Sequence, residues 1–307
     1  MGVKLLDKFL TNNFYENGVF DYHISMLSNK KVCIDTSIFL YKYGINQKVL
    51  LKNIYKLCNI FKSYNIIPIF IFDGEPPEIK KNILLKRKIN RNKAKEQYDK
   101  LIQTHGNCPS SKLIQTKLKI LSYNSIKISR RDILKVKQLI ELCGYNYMDA
   151  KGEADELCTT LVKSKLVYGC FSDDMDLFTY GTRHIYRNFD IETGYLKYYN
   201  LNTILKIMNM TEKDFSLFCI ISGTDYYESP HNIFYNYKMY QKFLNTNKKN
   251  YYFWLIHNKY IDDNNCKLLD IKELFDIKTY SILSQYQRIK INNKRVRLNE
   301  INKLLTK

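Results

Sequence analysis

A set of carboxylates recurs where short, hard acids can do chemistry. Asp35 and Asp73 each end an apolar, β-rich run, Val32-Cys33-Ile34-Asp35 and Ile69-Phe70-Ile71-Phe72-Asp73. Glu153 and Asp155 open the helical segment Gly152-Glu-Ala-Asp-Glu-Leu-Cys-Thr-Thr-Leu-Val162, Asp174 and Asp176 close a strand-like run from Val167, and Asp225 lies in Ile220-Ile-Ser-Gly-Thr-Asp225-Tyr. Ligands of open α/β sheets bind at the carboxyl ends of the strands. Carboxylates gathered there repel one another unless divalent cations lie between them, so the pattern is that of a two-metal centre.

Local geometry sorts the acids in part. Two positions apart on a strand, Asp174 and Asp176 point to one face, and Asp173 points away as a structural residue. Glu153 and Asp155 diverge by about 200° on a regular helix, so they converge only if Glu153 lies in the turn entering it. Glu156 shares a face with Glu153, and the spacing alone leaves Asp155 and Glu156 both open.

The elements that must carry these acids read as alternating strands and helices. Residues 31–35 and 66–72 are buried parallel strands joined by a helix over 47–64, a right-handed βαβ unit. Gly74-Glu-Pro-Pro77 breaks the pattern, and a long polar helix follows over 78–105. Gly106-Asn-Cys-Pro-Ser-Ser111 is a loop, and a second polar, basic stretch runs to about 131. The pattern then predicts a helix over 132–143 with Gly144 as its C-cap. Strands are expected at 145–148, 166–171 and 184–188, with a helix over 153–164. After Tyr195 the signal is helical, over 201–208, 211–221 and 235–244.

The chain has 307 residues and a formal net charge of +19, from 49 basic and 30 acidic residues. An acidic cluster in so basic a protein implies a polyanionic substrate, drawn in by the surface field and processed at the metal. An AT-rich genome would raise Lys, Asn, Ile and Tyr together, but would not decide where the charge sits. The cysteines, Cys33, Cys58, Cys108, Cys143, Cys158, Cys170, Cys219 and Cys266, form no C-x-x-C pair and lie mostly in apolar runs. They read as buried thiols of a reducing compartment, not as a disulfide framework or zinc site. The first residues hold no secretory apolar core, Leu6 replaces the Ser or Thr of a myristoylation motif, and no run reaches the ~18 apolar residues of a membrane span.

Taken together the motifs resemble the flap endonuclease family of structure-specific 5′ nucleases. The residues that carry the likeness are Met1-Gly-Val-Lys, Ile34-Asp-Thr-Ser, Phe72-Asp-Gly-Glu-Pro-Pro77, Gly152-Glu-Ala-Asp-Glu-Leu-Cys158, Ser172-Asp-Asp-Met-Asp176 and Ser222-Gly-Thr-Asp-Tyr-Tyr-Glu-Ser229. Each is short, but they occur in the family's order over about three quarters of the chain. The resemblance implies an α/β fold, a mostly parallel twisted central sheet flanked by helices, with a helical arch and a C-terminal helical DNA-binding region. It implies two Mg²⁺ ions, for which Mn²⁺ would substitute. One would be held by Asp35, Asp73, Glu153 and Asp155, the other by Asp174, Asp176 and Asp225, with Glu153 or Asp155 near both; the family pattern favours Asp155 over Glu156.

The family also places a Lys and an Arg on the scissile phosphate at the offsets of Lys80 and Arg87 here. The window 80–95 holds eight basic residues and no acid. Lys80 and Arg87, seven apart, would share a helix face and stabilise the pentacovalent phosphate. Lys81, Lys86, Arg91, Arg130, Arg131 and Lys238 would be phosphate contacts, with Lys135, Lys137 and Lys242 extending the path. Tyr41 would stack on a base, and Gly2 would lie near the DNA junction.

The implied organisation is a nuclease region over 1–105 that includes the start of the arch, the rest of the arch over 106–131, an internal nuclease region over 132–229, and a divergent helical region over 230–307. In that last region the family's Gly-x-Gly hairpin, which grips duplex and K⁺, is missing. Asn232 and Phe234 stand in its place; Asn can adopt the left-handed conformation, Phe does so poorly. Gln287-Arg-Ile-Lys-Ile lacks the aromatic pair of a sliding-clamp motif. The likeness extends to the shortened, divergent members that large DNA viruses encode. The expected activity is Mg²⁺-dependent 5′ flap endonuclease and 5′→3′ exonuclease cleavage of branched or nicked DNA in replication, repair or recombination. The protein would act as a monomer, in the nucleus or a cytoplasmic site of DNA replication. A junction resolvase, a repair incision enzyme, a 5′→3′ exoribonuclease and a catalytically silent DNA-binding scaffold are the alternatives.

Overall fold

A computed structural model describes residues 2–106, 111–262, 267–277 and 296–306. Met1, Cys108, Cys266 and the Gln287–Ile291 segment lie outside the described residues. The centre is a mixed seven-stranded sheet in the order β1-β7-β6-β5-β2-β3-β4. Its strands are β1 (Val19–His23), β2 (Lys31–Asp35), β3 (Ile67–Phe72), β4 (Asn146–Asp149), β5 (Gly169–Phe171), β6 (His184–Arg187) and β7 (Tyr195–Asn200). The five strands from β6 to β4 are parallel, and β7 runs antiparallel to β6 and β1. The mostly parallel sheet expected from the sequence is therefore present.

Strand periodicity divides the core between two faces. Cys33, Ile69, Ile71 and Cys170 pack on one face with α1 (Leu6–Phe14) and the helices that follow the sheet's centre. Val32, Ile34, Phe70 and Phe171 pack on the other. There they meet a second helical layer, in which α3 comes after α2 (Thr36–Tyr43) and spans Gln47–Ser63. Strand order reverses around β2, which has β3 on one side and β5 on the other. Such a switch point leaves a crevice at the strands' carboxyl ends.

Three local readings need correction. The stretch from Tyr195 begins with a strand, not a helix, because Tyr198 and Tyr199 each bury a ring in a different face of the sheet. The helix expected from residue 78 is split: Glu78–Lys80 form a 3₁₀ turn and α4 spans Lys81–His105. Lys80 thus precedes the α-helix and does not share a helix face with Arg87. Finally, β5 stops at Phe171, so Asp174 lies in a loop and Asp176 opens the short helix α8 (Asp176–Thr179) after α5 (Lys112–Asn124), α6 (Arg130–Leu142) and α7 (Ala154–Lys163).

The arch segment is a helical hairpin of α4 and α5, packed chiefly on each other. Helix α4 buries only Ala94, and α5 buries Leu118 and Leu121. Helix α6 starts at a capping box, in which Ser129 and Asp132 satisfy each other's backbone donors. The chain ends in α9 (Leu201–Met208), α10 (Glu212–Ile221), α11 (Ile233–Leu244), α12 (Tyr251–His257), α13 (Lys267–Leu274) and α14 (Leu298–Thr306). No helix among the described residues is long and apolar enough to cross a membrane.

Candidate metal centre

The carboxylates meet in the crevice at the ends of β2, β3 and β5. Asp35 ends β2 and caps α2, accepting the Ser37 N–H at 3.1 Å. The Ser172 hydroxyl, just past β5, donates to the other Asp35 oxygen at 2.8 Å. Asp73 follows β3 and accepts the Ala154 N–H at the start of α7 at 2.8 Å and the Ser37 hydroxyl. Gly74 makes this join possible: its N–H donates to the Gly152 carbonyl at 2.7 Å, and a Cβ there would fall 2.1 Å from the Ala150 oxygen.

Glu153 is the N-cap of α7, with extended backbone, so its side chain escapes the helical divergence from Asp155. The condition set by the sequence spacing is met. Asp155 is 9% exposed and lies close to Asp174 and Asp35, whereas Glu156 is more exposed. Asp174 and Asp176 converge without a strand: the Asp176 N–H donates to Asp174 Oδ1 at 3.1 Å, and the Asp174 N–H donates to Ser172 Oγ at 3.1 Å. Asp173 turns away, accepting the Asn188 N–H at 2.7 Å, while its carbonyl accepts from Arg187. Gly2 closes the crevice at φ +81°. A Cβ there would lie 2.5 Å from Asp174 Oδ1 and 2.8 Å from Asp176 Oδ1, so only glycine fits against both acids.

Lys80 and Arg87 sit among the acids rather than on an open helix face. Lys80, 6% exposed, donates to both Glu153 oxygens at 2.6 and 2.8 Å and lies 4.0 Å from Asp176. Arg87 pairs with Asp225 at 2.5 Å. Burial, then the nearby Asp73 charge, pushes the Asp35 carboxyl well above the usual range. Burial with Asp174 and Asp35 does the same to Asp155. Burial and Asp174 push Asp176 up to about 8 against the opposing pull of Lys80. Burial works to lower the Lys80 pKa, but the adjoining Glu153 carboxylate outweighs it and raises the ammonium above its ordinary value.

This donor set fits hard divalent cations. Asp155 Oδ1 and Asp176 Oδ1 are buried without a hydrogen-bond partner, a costly state for a carboxylate unless a cation completes it. Among the described residues, the one group of three or more Cys, His, Asp or Glu side chains whose ligand atoms all lie within 4.8 Å of one another is not drawn from the acids. Cys33, Cys158 and Cys170 bring their thiols within 4.8 Å of one another behind the acids, wholly buried. Sequence spacing could not reveal that convergence, since the thiols come from two strands and a helix. The six described cysteines are free and buried.

Ser37, Ser172 and Tyr226 are site residues that sequence reasoning missed. Tyr226 donates to Glu153 Oε2 at 3.2 Å, and its ring lies 5.0 Å from the Lys80 ammonium. All three lie within the quoted motifs, beside the acids they hold, and that adjacency was the available signal.

The candidate nucleic-acid contacts are mostly outside this centre. Tyr41 is 44% exposed on α2, and Lys86, Arg130, Arg131 and Lys238 are exposed. Lys81 pairs with Glu78 at 2.5 Å, and Arg91 is half-buried. Lys135 is held by Gln47 at 2.7 Å and Lys137 by Asp149, which takes both off an open basic path. Asn232 does not adopt the left-handed conformation. At φ −84° it is the N-cap of α11 and accepts the Tyr235 N–H at 3.0 Å, while Phe234 packs its ring on Phe9.

Comparison with known proteins adds family evidence. The XPG N-terminal domain matches residues 1–94 and the XPG I-region matches residues 144–225. Flap endonuclease 1 of Entamoeba histolytica is 29% identical over 248 residues, covering 75% of this chain and 63% of that protein. The chain therefore spans about three fifths of that relative's length. The catalytic core of Rad2 in complex with DNA substrate superposes with a TM-score of 0.66 at 18% identity, covering 99% of this chain and 94% of the other. The Holliday junction-resolving enzyme GEN1, in complex with product DNA, Mg²⁺ and Mn²⁺, superposes at 0.60 with 16% identity, covering 92% of this chain and 68% of the other. At such identities the superpositions speak for a shared fold.

Proposed function

We propose, from the premise that the chain belongs to the XPG and flap endonuclease family of 5′ nucleases, that it is a Mg²⁺-dependent, structure-specific nuclease. It hydrolyses DNA phosphodiesters at 5′ single-stranded flaps and nicks in replication, repair or recombination. The observation that carries this reading is the convergence of Asp35, Asp73, Glu153, Asp155, Asp174, Asp176 and Asp225 at the sheet's switch point, with buried carboxylate oxygens left unpartnered.

Asp35, Asp73, Glu153 and Asp155 would hold one divalent ion, and Asp174, Asp176 and Asp225 a second. Bound there, the ions supply a water of lowered pKa and charge neutralisation at the leaving oxygen. Ser172 orients Asp35 and Asp174 together, and Ser37 joins Asp73 to the start of α2. Lys80 and Arg87 bring fixed positive charge into the site, where a reacting phosphate gathers negative charge. The basic α4–α5 hairpin admits a single strand over the acids. Arg130, Arg131 and Lys238 offer phosphate contacts, and Tyr41 a stacking surface. The nuclease region over 1–105 and 132–229 works with the arch over 106–131 and the helical region over 230–307. The working compartment is a reducing one where DNA is replicated.

The Asn232 N-cap in place of a glycine hairpin favours a second reading, junction or incision chemistry with an altered duplex grip. One experiment separates these. Labelled 5′ flap, nicked duplex, gapped duplex, four-way junction and RNA substrates are incubated with Mg²⁺ or chelator, using wild type and Asp174→Ala. Flap release at the junction that requires Mg²⁺ and disappears in the variant is the expected result. Turnover retained by purified Asp174→Ala would sink the assignment, and preferential four-way junction cleavage would select the second reading.

A further inference from the structure

The opposite edge of the sheet carries a cleft of about 510 Å³ that the catalytic reading does not use. Lys30 and Lys31 lead into β2, Lys165 and Tyr168 precede β5, and Arg183 and His184 open β6; all six line the cleft. The β2 strand alone separates it from Asp35 by about 13 Å, four steps of strand rise. No Asp or Glu lines it, and among the described residues none of the four cations is paired with a carboxylate. Cations gathered without acids around a concavity raise the local potential for anions.

An aromatic platform lies among these charges. The Tyr168 and His184 rings are stacked 4.9 Å apart and 7° from parallel, and His184 stacks in turn on Tyr198. Tyr168 is 41% exposed, with the Lys30 ammonium 5.0 Å above its ring. Burial, with Arg183 alongside, lowers the His184 pKa, so the second ring is a neutral stacking partner. A cleft of this size admits a nucleotide unit but not the width of a duplex. Cations that track a backbone beside a ring that takes a base are the two parts of a single-strand site.

We propose that this cleft is a second, non-catalytic site for single-stranded nucleic acid: Lys30, Lys31, Lys165 and Arg183 bind its phosphates and Tyr168 stacks a base. The assignment rests on the nuclease reading, and gives that enzyme a place to retain a strand away from the acids.

The test uses the full chain carrying Asp174→Ala, saturated with unlabelled flap DNA in Ca²⁺, and titrated with a fluorescent oligothymidylate. The labelled strand is expected to bind the preformed complex. Adding Lys30→Ala and Arg183→Ala should make the slope of log affinity against log salt shallower by about 1.4, two phosphates at about 0.7 each. Tyr168→Leu should weaken binding about tenfold or more, and none of these changes should alter wild-type cleavage of a short flap substrate. Complete displacement of the strand by flap DNA, indifference to all three substitutions, or equal binding of inorganic polyphosphate or a free mononucleotide would overturn the proposal. Failure of the nuclease reading is seen separately, as absence of flap cleavage by the wild type.

Discussion

Asp155 and Asp176 show what burial costs a carboxylate. Each keeps a buried oxygen without a partner. Asn at position 155 removes an ionisable acid that burial and its acidic neighbours disfavour, at nearly constant volume, so Asp155→Asn should raise the melting temperature of the metal-free protein. The same change should lower cleavage by about 10³-fold or more, the scale of losing about 4 kcal/mol of transition-state stabilisation. The Asp176 carboxyl, raised to about 8, fixes the sign of the pH dependence. A carboxylate with a raised folded pKa contributes stability that is present below its ordinary pKa of about 4 and is lost as pH rises through the folded value. Chelator-treated protein should therefore melt at a lower temperature near pH 9 than near pH 6, and added Mg²⁺ should flatten the difference. Differential scanning fluorimetry across pH, with and without Mg²⁺, reads both effects. Ser172 is a different kind of residue: its hydroxyl donates to the Asp35 carboxylate and accepts the Asp174 backbone N–H. Removing such an orienting partner typically costs about 10–100-fold in metal affinity. Ser172→Ala should raise the Mg²⁺ concentration for half-maximal cleavage by that factor, with rate largely restored at saturating Mg²⁺. If the Mg²⁺ dependence stays unchanged, Ser172 does not position these acids.

At the scale of elements, the α4–α5 hairpin differs from the rest of the molecule. Twenty-five residues of α4 bury one side chain, Ala94, and α5 buries two, Leu118 and Leu121. Regions with so little burial open at low free energy without global unfolding. Leu121→Ala should make α4 and α5 the first sites of limited proteolysis while moving the overall melting temperature by less than about 2 °C. A core Leu→Ala change would cost about 2–5 kcal/mol and shift it further. Bound flap DNA should restore protection. The strands behave in the opposite way. Cys33, Ile34 and Asp35 are nearly inaccessible, and rigid β2 holds the Asp35 carboxyl against Ser172. The rigid strand ends keep the acids in place, while the loosely packed hairpin is free to accommodate a strand.

For the whole molecule the net charge of +19 sets the long-range behaviour. Lys80 and Arg87 are occupied by Glu153 and Asp225, so attraction at a distance falls to exposed cations such as Lys86, Arg130, Arg131 and Lys238. Their contribution comes from counterion release. Affinity for flap DNA should fall at least about tenfold between roughly 50 and 200 mM salt, with each neutralised phosphate adding about 0.7–0.9 to the slope. Fluorescence anisotropy with Asp174→Ala measures this directly. A flat response would remove the basic surface from the account of binding.

Much was legible before the fold, and for a definable reason. Strand ends announce themselves by apolar runs that stop at a polar residue, so Asp35 and Asp73 were readable from the chain, as were the parallel strands they end. The order of short motifs carried the family. What the sequence left open were questions of orientation and long-range contact. Whether Asp155 or Glu156 faced inward depended on where α7 begins, and the extended N-cap at Glu153 decided it. Asp174 and Asp176 were brought together by a loop, a helix start and Gly2 rather than by strand alternation. Lys80 was readable as a cation, but its burial against Glu153 arises from residues 73 positions apart in the chain. The strand at Tyr195–Asn200 and the cleft between Lys30 and Arg183 likewise exist only once the sheet has formed. Local pattern fixes what each segment prefers to be; which charges then face one another is decided by packing across distances that no spacing in the chain encodes.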